Sequence, residues 1–207
     1  MTSTPKASPS TDEPGAPGFP QAERAIVLVT GIQAAGKSTV AQALAERLPH
    51  SVHVRGDRFR RMVVNGRADM TATAGEEAVR QLRLRHQLTA QVGDSYFEAG
   101  FTVVAQDVIL GEHLAWTVAQ IRSRPLLVVV LAPDPGTVLA REAARTKNAY
   151  DTLTVHMLDQ VLREETARLG LWIDTSSQTP AETVDEILAR AWTEARVEEP
   201  PRWPQGS

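Results

Sequence analysis

Residues 25–48, AIVLVTGIQAAGKSTVAQALAERL, pass from an unbroken apolar run through two glycines into a helical pattern, with a lysine at the junction. The run Ala25 to Thr30 is short, rich in β-branched residues and stopped by Gly31, so it predicts a strand buried on both faces. Beyond the glycines, Val40, Leu44 and Leu48 recur every four residues beside Ala41 and Ala45, which predicts a helix with one apolar face, ended by Pro49. The turn between them, Gly31-Ile32-Gln33-Ala34-Ala35-Gly36-Lys37-Ser38 followed by Thr39, fits G-x-x-x-x-G-K-[ST], a phosphate-binding loop. Its glycines let backbone N–H groups converge on an anion, and the helix N-terminus adds about half a positive charge aimed at the same place. Lys37 is expected to hold the β and γ phosphates of ATP and to lie outside the packed core, while the Ser38 hydroxyl helps hold Mg²⁺. At average amino-acid usage this four-position pattern arises by chance in under about one chain in a hundred of this length.

With 207 residues the chain suits one α/β domain with a sizeable core. A formal net charge of −3 exerts no global pull toward nucleic acid or an anionic membrane. The absence of cysteine excludes disulfides and thiolate metal sites and fits a reducing compartment. The N-terminal stretch has no apolar signal core, and the longest apolar run, Leu126 to Ala132, is too short to span a bilayer, so no membrane association and a cytoplasmic location are expected. Residues 1–22 are crowded with Pro, Ser, Thr and Gly and predict a disordered tail. One folded domain over 23–196 and a flexible tail over 197–207 complete the expected organisation.

Strands are expected at Ala25 to Thr30, Ser51 to Arg55, Phe101 to Gln106, Leu126 to Ala132 and Leu171 to Asp174, separated by helical patterns. Such alternation argues for a parallel sheet covered on both faces, which binds ligands at the carboxyl ends of its strands. Four of those ends carry an aspartate: Asp57, Asp107, Asp134 and Asp174. Asp57 is placed to accept a proton from an attacking hydroxyl; as an alternative it caps the following helix. Asp107 follows an apolar strand as a Walker B carboxylate does, which suits Mg²⁺, directly or through water, or the substrate. Asp134 and Asp174 read as turn and cap residues, and Thr179-Pro180-Ala181-Glu182 as a capping box.

Phosphoryl transfer needs positive groups around the migrating phosphate. Arg141 and Arg145, four apart on one helix face with Lys147 close behind, predict a lid near 141–152. Arg58, Arg60, Arg61, Arg67, Arg80, Arg83 and Arg85 cluster between the second and third strands, and Arg60 and Arg61 are the candidates for greeting an acceptor. The histidines show no metal-ligand spacing, and Trp116, Trp172 and Trp192 fall in core contexts.

On "GIQAAGKST", "VRGDRF", "VVAQDVILG", "VVVLAPDPGTVLAREAART" and "WIDTSSQTPAETVDEI", residues 25–191 resemble the small phosphate-loop kinases, and most closely the chloramphenicol phosphotransferase-like group. The resemblance implies a five-stranded parallel sheet in the order 2-3-1-4-5, ATP with Mg²⁺, and transfer of the γ-phosphate to a hydroxyl of a small molecule, antibiotic-like or metabolite. It matches Asp57 to the family's proposed base and Arg141 and Arg145 to its phosphate-facing arginines. The stretch Asn65 to Gln91 matches no chloramphenicol pocket, and its arginines are many for a neutral acceptor. "GDRFRRMV" also resembles polynucleotide 5′-kinases and zeta-toxin-like nucleotide-sugar kinases. The lack of an aromatic-interleaved basic stripe argues against nucleic acid. A nucleotide-binding module without catalysis is the remaining class, against which Asp57 and the lid arginines argue.

Overall fold

The computed structural model describes residues 23–71, 73–143 and 152–199. The expected tail 1–22, the final residues 200–207 and most of the lid segment, including Arg145 and Lys147, lie outside the described residues. Five strands, β1 (Ile26–Gly31), β2 (Ser51–Arg55), β3 (Thr102–Gln106), β4 (Leu126–Leu131) and β5 (Leu171–Ile173), form one sheet in the order β2-β3-β1-β4-β5. Every pairing between them is parallel. Each coincides within a residue with a strand expected from the sequence. All residues of β1, β3 and β4 are buried, whereas the edge strands β2 and β5 are partly open, as expected when helices cover both faces.

The helices are α1 (Lys37–Arg47), α2 (Gly56–Met62), α3 (Glu76–Glu98), α4 (Glu112–Gln120), α5 (Pro135–Ala143), α6 (Thr152–Gln160) and α7 (Pro180–Glu194), with a π-helical turn at Val161–Glu165. On α1 the buried side is Val40, Ala41, Leu44 and Ala45, the stripe read from the four-residue spacing, and it packs beside α7. α7 starts with the capping box foreseen at Thr179 and Glu182, with Pro180 in its first turn. Asp134 accepts the Thr137 N–H at 2.9 Å at the start of α5, which is cap chemistry. The chain stays docked past α7: Val197 is buried and donates its N–H to Leu126 O at 2.9 Å, one residue into the segment expected as tail. Trp172 and Trp192 pack half-buried against the core, each with an arginine over its ring. No described helix is long and apolar enough to cross a membrane.

The connection leaving β1 runs to β2 on one side, and the one leaving β3 runs to β4 on the other. This switch point opens a crevice at the carboxyl ends of β1 and β3. Two glycines set how closely its walls approach. At Gly31, with φ 145°, a Cβ would lie 2.4 Å from Leu131 O, so only glycine lets β1 turn away flush against β4. At Gly56 a Cβ would lie 2.2 Å from Asp107 Oδ2 and 2.9 Å from Thr89 Oγ1. Gly56→Ala is therefore expected to destabilise the protein by about 1–3 kcal/mol, as overpacking does, and to displace the Asp107 carboxylate. Urea unfolding checks this; an unchanged midpoint would mean that α2 moves away at no cost.

Candidate active site

The phosphate loop leaves β1 at Gly31 and enters α1 at Lys37. Ala34 (φ 59°) and Gly36 (φ 95°) both adopt left-handed backbone, and Ala35 N–H bonds Ile32 O at 3.2 Å, closing the loop on itself. Gly36 caps α1 without a side-chain bond, and its carbonyl accepts from Thr39 and Val40. The donors ahead of these have no acceptor within the helix, which is the condition for anion binding. Contrary to expectation, Lys37 is not outside the packing: it is 7% exposed, and its Nζ donates to Ile32 O at 2.7 Å. The aliphatic stem is buried while the ammonium folds back over the loop.

Asp57 lies in the first turn of α2 rather than at its cap, which is Arg55 and makes no side-chain capping bond. Its Oδ2 is 3.2 Å from Arg61 and its Oδ1 3.7 Å from Arg55 Nε, and Oδ1 has no hydrogen-bond partner. Asp107 follows β3 and is 3% exposed. Its Oδ1 accepts the Val108 N–H at 2.8 Å, and Oδ2 lies 2.7 Å from Arg85 Nε. Burial pushes the Asp107 pKa up, against the pull of Arg85, the Val108 N–H and Lys37. The loop beyond it is pinned by Thr30, whose hydroxyl donates to Ile109 O at 2.9 Å and accepts the Ile109 N–H at 3.0 Å.

Behind Asp107, His86 of α3 is fully buried, with Nε2 3.3 Å from Val108 O. Burial, then Arg85 and His113, push its pKa down to about 3. An unfolded imidazole takes its proton near pH 6.5, so across this window the unfolded state binds more protons and stability falls as pH drops. His53 and His113 are lowered in the same direction. Stability is expected to fall by about 2 kcal/mol between about pH 7.5 and 5 from His86 alone. Urea titrations at the two pH values measure it, and equal stabilities would mean that His86 is charged in the fold.

Arg141, on α5, donates to Thr175 O at 2.7 Å and to Ala35 O at 3.5 Å, bridging the loop after β5 to the phosphate loop. A cleft of about 1670 Å³ gathers Gln33, Ala34, Gly36, Lys37, Ser38, Thr39, Asp57, Arg60, Arg61 and Asp107 on its walls. Its volume exceeds the usual 300–1,000 Å³ of a one-ligand pocket, leaving room for two substrates. Of the candidate residues, Gly31, Ile32 and Ala35 shape the loop without lining the cleft, Arg141 sits on the loop's flank, and Arg145 is outside the described residues.

In the sequence Arg85 stands only within a cluster, His86 and His113 only among histidines without metal-ligand spacing, and Glu112 and Glu165 in no motif. α3 carried a usable signal: Ala78, His86, Thr89, Ala90, Gly93 and Phe97 form its buried stripe at helical spacing, so Arg85, beside His86 and one turn before Thr89, is carried toward the sheet edge.

A phosphate loop after β1, the strand order 2-3-1-4-5 and carboxylates at the ends of β2 and β3 together define a kinase-like P-loop fold. The chain belongs to the family described as AAA domain, whose profile matches residues 26–191. No curated protein matches it. Among solved structures it is similar to a sugar kinase from Janibacter sp. HTCC2649, at 16% identity and TM-score 0.58 over 80% of this chain and 92% of that one. It is also similar to the tunicamycin resistance protein of Deinococcus radiodurans, at 17% identity and TM-score 0.60 over 86% of this chain and 100% of that one. A gluconokinase from Sinorhizobium meliloti 1021 aligns at 20% identity and TM-score 0.57 over 81% and 92% of the two chains. At these identities the likeness is one of fold.

Proposed function

We propose that the protein is an ATP-dependent phosphotransferase that moves the γ-phosphate to a hydroxyl of a small molecule. The observation that carries this reading is one cleft shared by the phosphate loop, Asp57 and Asp107. The β and γ phosphates lie against the loop N–H groups, and Lys37 exchanges Ile32 O for phosphate oxygen. The acceptor hydroxyl gives its proton to the Asp57 carboxylate, which is 30% exposed and lines the cleft. The acceptor oxygen then bonds to the γ-phosphorus as the bond to the ADP oxygen breaks, and the leaving electrons stay on ADP. Arg60 and Arg61, on the same wall, orient the acceptor.

The residues present fit Mg²⁺. Ser38 and Asp107 offer the oxygen donors that the ion prefers, and no three His, Asp or Glu side chains among the described residues form a ready-made metal cage, as suits an ion held largely by phosphates and water. Engaged by Val108 N–H and Arg85, Asp107 would hold the ion through water. When bound, the ion neutralises phosphate charge. Antibiotic inactivation, the chloramphenicol phosphotransferase-like assignment and the cytoplasmic location belong to this same reading.

ADP release measured over a panel of hydroxyl-bearing antibiotics, nucleosides, nucleotide sugars and 5′-hydroxyl oligonucleotides tests it, and the absence of acceptor-dependent ADP with every member contradicts it. Arg141 supports the loop from its flank and would turn to the transferring phosphate once ATP is bound. Its hold on two main-chain carbonyls limits its share to that of a charged hydrogen bond, so Arg141→Ala should lose about 10- to 100-fold in kcat/KM. Steady-state kinetics measure this, and wild-type kcat/KM would return Arg141 to a purely structural role.

A further inference from the structure

We propose that the acceptor half of the cleft takes an uncharged alcohol with a sizeable apolar body and no phosphate of its own. This rests on the phosphotransferase reading and narrows it.

The first observation concerns methionine. The sequence has four, and apart from Met1 all of them, Met62, Met70 and Met157, line the cleft. They are 69%, 46% and 48% exposed, and Leu84 beside them is 49% exposed. Exposed apolar side chains gathered in a concave site mark a ligand surface. Unbranched, polarisable methionine adapts to apolar bodies of differing shape. Met62 comes from the end of α2, Leu84 from α3 and Met157 from α6, so the apolar wall spans the cleft rather than one patch of it.

The second observation concerns the arginines, which in the sequence suggested an anionic acceptor. Those lining the cleft each lie within 4 Å of a carboxylate. Arg55 and Arg61 flank Asp57, Arg60 binds Asp69, and Arg85 pairs with Asp107. Against these four and Lys37 stand five lining carboxylates, Asp57, Asp69, Asp107, Glu112 and Glu165, so the lining has no excess of positive charge. A phosphate-bearing acceptor would meet each of these guanidinium groups with a carboxylate beside it, a like-charge neighbour that counts against it. An uncharged body leaves the pairs intact and buries the methionines.

The experiment titrates the protein with butyl, hexyl and octyl β-glucoside below micelle-forming concentrations, by calorimetry, with and without a non-hydrolysable ATP analogue and Mg²⁺. Affinity is expected to tighten by up to about fourfold per methylene, the value of a fully buried CH₂. Met62→Ser/Met157→Ser, two substitutions at exposed positions that the fold tolerates, should weaken octyl glucoside by about tenfold. Affinity independent of chain length, no binding, or unchanged binding by the double variant would overturn the proposal. So would UDP-N-acetylglucosamine or a 5′-hydroxyl oligonucleotide binding more tightly than octyl glucoside. Failure of the analogue to bind strikes instead at the phosphotransferase reading, and the glucoside titrations without it still decide the acceptor chamber.

Discussion

Replacing Lys37 by alanine is expected to lower acceptor-dependent ATP turnover by a factor on the order of 10³, the upper range for removing one preorganised donor to developing charge. The ammonium sits at the mouth of the phosphate loop with a main-chain carbonyl as its placeholder, 2.7 Å from Ile32 O. In that position its charge is fixed before the nucleotide arrives, so no reorganisation is needed at the moment of transfer. Because the stem is buried, Lys37→Ala also leaves a small void, and Lys37→Met, which keeps the stem and removes the charge, is the companion variant. Both should lose turnover alike, and Lys37→Met should hold its thermal midpoint. Turnover retained by folded Lys37→Met would remove the loop from the chemistry.

Asp57→Asn is the second. The amide keeps the shape of the carboxylate and cannot accept the acceptor's proton, so kcat should fall by about 10² to 10⁴, the range for general-base assistance, while ATP affinity changes by no more than a few-fold. The structure removes one competing explanation. Asp57 is not the cap of α2, so a loss of activity is not a loss of helix capping. Arg55 and Arg61 lose their partner in this variant, but both are at least one-third exposed and water replaces it at little cost. A kcat within about threefold of wild type would leave Asp57 as a surface charge.

The sheet was legible because its three central strands are brief apolar runs, and a buried parallel strand needs nothing further to be recognised. The phosphate loop was legible because its residues are contiguous. What escaped depends on contacts between distant parts of the chain. Arg85 and Asp107 are 22 residues apart and meet only because α3 returns across the edge of the sheet where β3 ends. Arg141 reaches Thr175 across the gap between α5 and the loop after β5, where four-residue spacing suggests a lid arginine directed at the phosphates. Lys37 was read as an exposed ligand because motif spacing places a side chain beside phosphate without revealing how far the helix buries its stem. The arginine cluster points to an anionic acceptor in sequence, where the partners Asp69 and Asp107 are not visible as partners.

The central claim is that phosphorus leaves ATP and arrives on an alcohol. Incubating the protein with γ-³²P-labelled ATP, Mg²⁺ and each member of the alcohol panel, then resolving the products, follows that atom directly. Label is expected on an acid-stable phosphate monoester of at least one acceptor, formed in step with ADP and lost in Asp57→Asn. Label released only as inorganic phosphate, or remaining on ATP with every alcohol, would contradict it.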